Sequence, residues 1–271
     1  MPENNFFDVP KTNFQTSGGS VELPILYREV SERRLNFFVD YEAALAKVEG
    51  TGLVPCKFYN HKALASLILW NYRDTSIGPY EEAALILIVR VKELPDRRFY
   101  LPTILFRKKS SSWGNMGAYV LELPVTTEAA RVAGREIWGY PKFATKIPFK
   151  FTSEKEFEFT ILDPKSEEPL VSVQAKAGFG ITMKGFDLIT YSNHQNSILK
   201  TVVDIDTKYK SCLRNKVTLH VGDMDHRLTR NLRDLGLDHV KPWVIQITDH
   251  FRSRLNPGKP LMDWPALPLP Y

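Results

Sequence analysis

The chain has 271 residues, 43% of them hydrophobic and 25% charged, an ordinary globular balance that excludes global disorder and suits a single barrel, cone or large sandwich with extended ends. Its formal charge of +5 is mild, and the short basic clusters Arg97-Arg98 and Arg107-Lys108-Lys109 come without zinc-finger spacing, an RNP-type motif or a basic heptad, so no nucleic-acid partner is expected. The longest apolar runs, such as Ala83 to Val89, fall far short of the roughly 20 residues of a membrane span, and no membrane partner is expected either.

Residues 1–20 read as an N-terminal arm ending in the small, flexible run Thr16-Ser17-Gly18-Gly19-Ser20. The opening Met1-Pro2-Glu3-Asn4-Asn5 lacks the basic start and apolar core of a secretory signal. Cys56 and Cys212 are far apart, too few for a disulfide framework or an unaided metal site, and read as reduced thiols of a cytoplasmic protein.

A single domain is expected over 21–255. Leu35 to Val39 predicts a strand leading into a short helix at Tyr41 to Val48. Leu64 to Tyr72, Ala83 to Val91 and Phe99 to Phe106 read as successive strands of branched and aromatic residues. Thr126 to Ala133 predicts one or two helical turns with Thr127 as the cap. Strands follow at Lys146 to Lys150, Phe157 to Leu162 and Leu170 to Ala177, the second alternating polar and apolar. Leu199 to Tyr209 and Lys216 to Val221 continue the sheet, and Leu228 to Leu235 predicts a helix ended near Gly236. Strands do not alternate with long helices, so the fold class is α+β, mostly antiparallel β with a few short helices. The stretch 256–271, with five prolines, reads as an extended C-terminal tail.

The chemistry concentrates in Ala133-Gly134-Arg135-Glu136-Ile137-Trp138-Gly139-Tyr140-Pro141-Lys142-Phe143. A lysine that attacks a carbonyl must be neutral, and burial among apolar and aromatic groups disfavours the ammonium. Trp138, Tyr140, Pro141 and Phe143 crowd Lys142 in this way, and such a lysine can form a Schiff base. The competing reading lays its stem on the aromatics and its charge in water. Arg135 and Glu136 read as an ion pair buttressing the turn, and Trp138 and Tyr140 as cavity wall or core. The six histidines offer no metal motif.

The segment from Gly117 to Lys142, above all Gly134-Arg135-Glu136 followed by Tyr140-Pro141-Lys142, resembles the acetoacetate decarboxylase family around its Schiff-base lysine. Upstream, Asp74-Thr75-Ser76 and Gly78-Pro79-Tyr80-Glu81-Glu82 resemble the family segment that ends in an active-site glutamate. The resemblance implies an acetoacetate decarboxylase-like β-cone or barrel, assembly into dimers or larger rings, and no cofactor. It implies Lys142 as the nucleophile and Glu82 beside it, with Tyr140 and Phe143 against the substrate. An arginine near the first strands, Arg28 or Arg33, would meet the carboxylate of a small oxo acid through paired donors.

Two departures stand out. Phe143 occupies the position of the family's second lysine, which removes a cation that can help to activate the nucleophile but can keep the site dry. An apolar residue near Ile68 stands where the family places another acid. The expected activity is decarboxylation of an acetoacetate-type acid by a lyase working through an imine on Lys142. The alternatives are lysine-dependent aldol or dehydratase chemistry on an oxo acid, or a non-catalytic cavity that binds a small ligand.

Overall fold

The computed structural model describes residues 6–93, 116–195 and 197–261. The expected strand at Phe99 to Phe106 and both basic clusters lie outside the described residues. In chain order the elements are β1 (Thr12–Thr16), β2 (Gly19–Leu23), β3 (Ile25–Asp40), α1 (Tyr41–Ala46), β4 (Leu53–Pro55), β5 (Lys62–Thr75) and β6 (Tyr80–Val91). Next come β7 (Met116–Val125), α2 (Glu128–Trp138), β8 (Lys142–Ala144), β9 (Phe149–Phe151), β10 (Glu156–Leu162), β11 (Pro169–Lys176) and β12 (Phe179–Lys184). The last are β13 (Leu188–His194), β14 (Ser197–Asp206), β15 (Lys208–Leu213), β16 (Lys216–Val221), α3 (Arg227–Asp234), β17 (Val244–Leu255) and β18 (Lys259–Pro260).

The protein is mostly antiparallel β. Its larger sheet runs β12-β15-β17-β3-β5-β6-β7-β13-β14-β18, and a further pairing between β14 and β17 closes the seven strands from β17 to β14 into a barrel. The β7–β13 contact within the ring is parallel. A second sheet, ordered β16-β11-β10-β9, covers part of the barrel wall. Successive residues of a strand point to opposite sides, and this decides what each face of the wall does. On β3, Arg33, Leu35 and Phe37 are buried on the outer side, where the Arg33 guanidinium lies 4.3 Å from the Phe151 ring of the covering sheet. Arg34 and Asn36 point the other way, into the barrel.

Helix α2 delivers the chain to Lys142. Thr127 caps it, its side chain accepting from the Ala130 amide, as the sequence predicts. The helix continues past the expected end at Ala133 to Trp138, because Gly139 supplies the left-handed stop (φ 65°) and its amide donates back to the Arg135 carbonyl at 3.0 Å. Arg135 and Glu136 do not pair with each other. Arg135 donates to the Lys142 carbonyl at 3.1 Å, and Glu136 accepts from the Ser17 amide and hydroxyl, fastening the β1–β2 hairpin of the N-terminal stretch to the helix.

The strand expected at Lys146 to Lys150 forms only from Phe149, since Pro148 offers no ladder donor. The one expected at Leu199 to Tyr209 is two strands, broken at Thr207. The proline-rich end begins with β18, which pairs with β14 of the same chain.

Gly139 is required twice over: a Cβ there would meet the Asn193 carbonyl and His194 within 3.0 Å, on top of the positive φ. Gly139→Ala should cost about 2 kcal/mol or more and lower the midpoint of thermal unfolding by several degrees, and an unchanged midpoint would contradict this account of the turn. Helix α3 carries a second testable device. Its N-cap is His226, whose Nδ1 accepts from the Leu228 amide at 3.0 Å, and burial pushes the imidazole below its ordinary value. The folded state therefore binds the proton less readily than the unfolded chain. The stabilisation is complete above about pH 6.5 and is lost as pH falls below it toward the folded value. Thermal unfolding followed from neutral to mildly acidic pH should show a smaller loss for His226→Asn, which keeps a capping oxygen but cannot titrate; equal losses would refute the linkage.

Candidate active site

Because the barrel wall alternates, its inner surface is read off every second residue. Ile68, Trp70 and Tyr72 of β5, Glu82, Ala84 and Ile86 of β6, and Thr190, Val203, Ile205, Phe251 and Ser253 from β13, β14 and β17 line a cavity of about 90 Å³ together with Tyr27, Arg34, Tyr140 and Lys142. At roughly 30 Å³ per water molecule this has room for a ligand of a few heavy atoms. A larger hollow beside Glu81, Lys146 and Asp163 is open to solvent, and its lysine is exposed.

Lys142 opens β8, which docks parallel to β7 with Lys142 opposite Leu123. Its ammonium donates to Glu82 Oε2 at 2.6 Å, and the two side chains are only 5% and 8% exposed. Glu82 lies across from Trp70 on β5, and its other oxygen accepts from the Tyr72 hydroxyl at 3.3 Å. The stem of Lys142 runs over Gly134 of α2, where an added Cβ would lie within 3.0 Å of Lys142 Cδ and Cε. That glycine leaves the channel through which the amine reaches the cavity. Removing one partner of such a pair strands a buried charge, whereas apolar residues in its place often fold as well, so the pair is better explained by chemistry than by stability.

Phenols surround the pair. Tyr27 and Tyr80 share a hydrogen bond of 3.3 Å, and the Tyr72 ring lies 4.7 Å and 4.6 Å from theirs. The Lys142 nitrogen is 5.7 Å from the centre of the Tyr80 ring. Burial, reinforced by the Glu82 charge, pushes the Tyr27, Tyr72 and Tyr80 hydroxyls well above the usual phenol range. Burial takes Tyr140, whose hydroxyl is 2.7 Å from Thr190 Oγ1, up to about 12. These groups remain protonated near neutrality and act as hydrogen-bond donors.

Among the expected site residues, Lys142, Glu82 and Tyr140 come together and the others do not. Arg28 sits at the surface and pairs with Asp74 at 3.0 Å. Arg33 faces outward, bound to Asp249 at 2.8 Å and to the Thr248 carbonyl at 3.0 Å. The arginine of the cavity is Arg34. Register shifts in β3 between Tyr27 and Val30 reverse the alternation, so Tyr27 and Arg34 both point inward although they are an odd number of residues apart. Phe143, next to Lys142 on a strand, necessarily faces the other way, its ring 4.9 Å from His226. It packs under α3 and does not wall the cavity. Trp138 is core, its indole donating to the Asn256 carbonyl at 2.9 Å.

Arg34 is held by Glu32, a carboxylate with no exposure that accepts from Arg34 Nε at 2.8 Å, Trp70 Nε1 at 2.8 Å and the Tyr209 hydroxyl at 3.0 Å. Burial opposes the guanidinium charge, but Glu32 and Tyr209 outweigh it and raise Arg34 above its ordinary value. Glu32, Tyr27 and Tyr72 were not singled out from the sequence. The only local signal was the Glu32–Arg34 spacing, which puts two opposite charges on one face of a strand. Among the described residues, no three His, Cys, Asp or Glu side chains gather to hold a metal ion, and no helix is long and apolar enough to cross a membrane.

Solved structures share this fold. An acetoacetate decarboxylase from Legionella pneumophila is 14% identical over 97% of this chain and 96% of that one, with a TM-score of 0.61. The enduracididine biosynthesis enzyme MppR, complexed with the condensation product of pyruvate and imidazole 4-carboxaldehyde, is 12% identical over 96% of this chain and 100% of that one, with a TM-score of 0.62. An acetoacetate decarboxylase-like enzyme from Sphingomonas wittichii RW1 is 9% identical over 89% and 94%, with a TM-score of 0.58. No curated protein matches the chain at a significant level. The family model for acetoacetate decarboxylase matches residues 17–177, a span that includes Arg34, Glu82 and Lys142 and more than half of the sequence. The chain belongs to the acetoacetate decarboxylase family.

Proposed function

We propose that this protein is a lyase that forms an imine between Lys142 and the ketone of a small oxo carboxylic acid and, with a β-keto acid, decarboxylates it. The observation that carries this reading is the buried 2.6 Å contact between Lys142 and Glu82 at the wall of a small cavity that also holds Arg34. Pyruvate is bound in one MppR structure, which supports an oxo acid as the ligand class.

The Lys142 ammonium passes a proton to Glu82, and the neutral amine attacks the ketone carbon. Glu82 then returns the proton to the carbinolamine oxygen, which leaves as water, giving a protonated imine. The bond to the carboxylate breaks, its electron pair flows into the iminium, and carbon dioxide leaves. Protonation of the resulting enamine and hydrolysis release the ketone and free Lys142. Arg34 orients the carboxylate with its remaining donors while Glu32 fixes its Nε edge. The protonated imine on Lys142 serves as the electron sink, so the sequence of steps calls on no metal or organic cofactor.

The ring of protonated phenols favours a second reading of the same imine. With Tyr27 and Tyr72 as proton donors and no acid at Ile68, the enamine could condense with an aldehyde and the product lose water, as an aldolase-dehydratase would do. Carbon dioxide release from acetoacetate separates the two reactions.

Sodium borohydride with acetoacetate or pyruvate should leave a stable adduct on Lys142, mapped by mass spectrometry, and Lys142→Ala should lose it together with turnover by at least about 10³-fold. No adduct with either acid would favour a ligand-binding cavity instead. Gly134→Ala keeps both charges but displaces the lysine stem, so imine formation should slow by about 100-fold with little change in thermal stability. Unimpaired trapping in that variant would show that the amine does not depend on the Gly134 channel.

A further inference from the structure

Two ion pairs stand on the inner wall, and a single row of residues relates them. Glu32 of β3 lies directly across from Trp70 of β5, and Trp70 directly across from Glu82 of β6, so the indole separates two buried carboxylates. Each has a cation of its own: Glu82 has Lys142 at 2.6 Å, and Glu32 has Arg34 at 2.8 Å. Among the described residues that line the cavity, Arg34, Glu82 and Lys142 carry charge. That is two cations against one carboxylate, an excess that Glu32, outside the lining, cancels. The partners of Glu32 fix its charge. Arg34 Nε and Trp70 Nε1 can only donate, and they take different oxygens, at 2.8 Å each, with the Tyr209 hydroxyl donating to the second at 3.0 Å. Both oxygens accept, so the group is a carboxylate. A neutral acceptor would hold the Nε edge as well; a carboxylate with no exposure also cancels the charge that Arg34 presents to a ligand, an effect that little water is present to screen.

We propose that Glu32 is a positioning residue that lets Arg34 orient the substrate's carboxylate without stabilising its charge, and so favours the step in which that charge leaves. The inference rests on the imine reading above. In that step the bond between the carboxylate and the neighbouring carbon breaks, and its electron pair passes to the protonated imine to give the neutral enamine. The carboxylate departs as neutral carbon dioxide. Negative charge therefore moves away from Arg34 and toward the Lys142 nitrogen. An unpaired guanidinium would bind the starting anion more tightly than the transition state and slow the reaction. Paired with Glu32, it holds the carboxylate in place while adding little to the binding of the ground state.

Acetoacetate decarboxylation by Glu32→Gln tests this, with pyruvate and its neutral isostere pyruvamide as competing ligands. The variant should lower KM and kcat together, each by about 10-fold, because it restores the ground-state binding that Glu32 cancels. A residue that only braced Arg34 would raise KM when lost. An unchanged or raised KM, or an unchanged kcat, would therefore overturn the proposal. The ligand comparison needs no variant to fold: the wild type should prefer pyruvate over pyruvamide by less than about 10-fold, since the anion meets a compensated arginine. A preference of 10-fold or more would overturn the proposal whatever the variant does. Borohydride trapping of the wild type separates this failure from that of the imine itself. A Lys142 adduct with no release of carbon dioxide, or with either contrary result above, rules out the role of Glu32 alone, whereas no adduct with either acid rules out the imine as well.

Discussion

The structure turns on one hydrogen bond, from the Lys142 ammonium to the Glu82 carboxylate, made in a place that water barely reaches. Two opposite charges so placed cost more to desolvate than they return in stability, and everything around them bears on that cost. The barrel closes through the pairing of β14 with β17, which turns one face of a long sheet into an enclosed wall. Tyr72 occupies the second oxygen of Glu82, and protonated phenols replace the hydration shell that the pair has lost. A charge relay between one acid and one amine is then the readiest way for this site to change its protonation without water.

Backbone details around Lys142 keep that geometry. Gly139 lets α2 stop and turn, Arg135 ties the turn to the Lys142 carbonyl, and Gly134 opens the space along which the lysine stem lies. On the opposite wall, Glu32 holds Arg34 by its Nε edge, with Trp70 and Tyr209 completing the carboxylate's shell. The cavity thus has the amine and the guanidinium in one lining, together with the apolar side chains of Ile68, Ala84, Ile86, Val203 and Ile205. Such a lining suits a small ligand that carries both a ketone and an anionic group.

Much of this was legible in the sequence, and the failures have a common origin. The antiparallel character, the positions of α1 and α3, the Thr127 cap and the pairing of Glu82 with Lys142 rest on local patterns or on short motifs that keep their meaning out of context. Arg28 and Arg33 were the candidates for the cavity because the resemblance puts an arginine near the first strands, and the residues of that strand do not say which arginine points inward. The irregularities between Tyr27 and Val30 shift its phase and bring Arg34 inward instead, and a one-residue shift exchanges the two faces completely. Phe143 failed for the same reason in miniature, since the neighbour of an inward residue on a strand points out. Barrel closure and the parallel β7–β13 contact join segments distant in the chain and leave no local trace.

The imine is the claim on which the functional reading rests, and the fate of the ketone oxygen tests it most directly. An imine intermediate requires the original oxygen to leave as water and one from solvent to replace it. In oxygen-18 water, the ketone recovered from acetoacetate or pyruvate incubated with the protein should gain the heavy isotope faster than in its absence, and Lys142→Ala should abolish the excess. Turnover or binding of these acids with no exchange above the spontaneous rate would contradict covalent catalysis by Lys142.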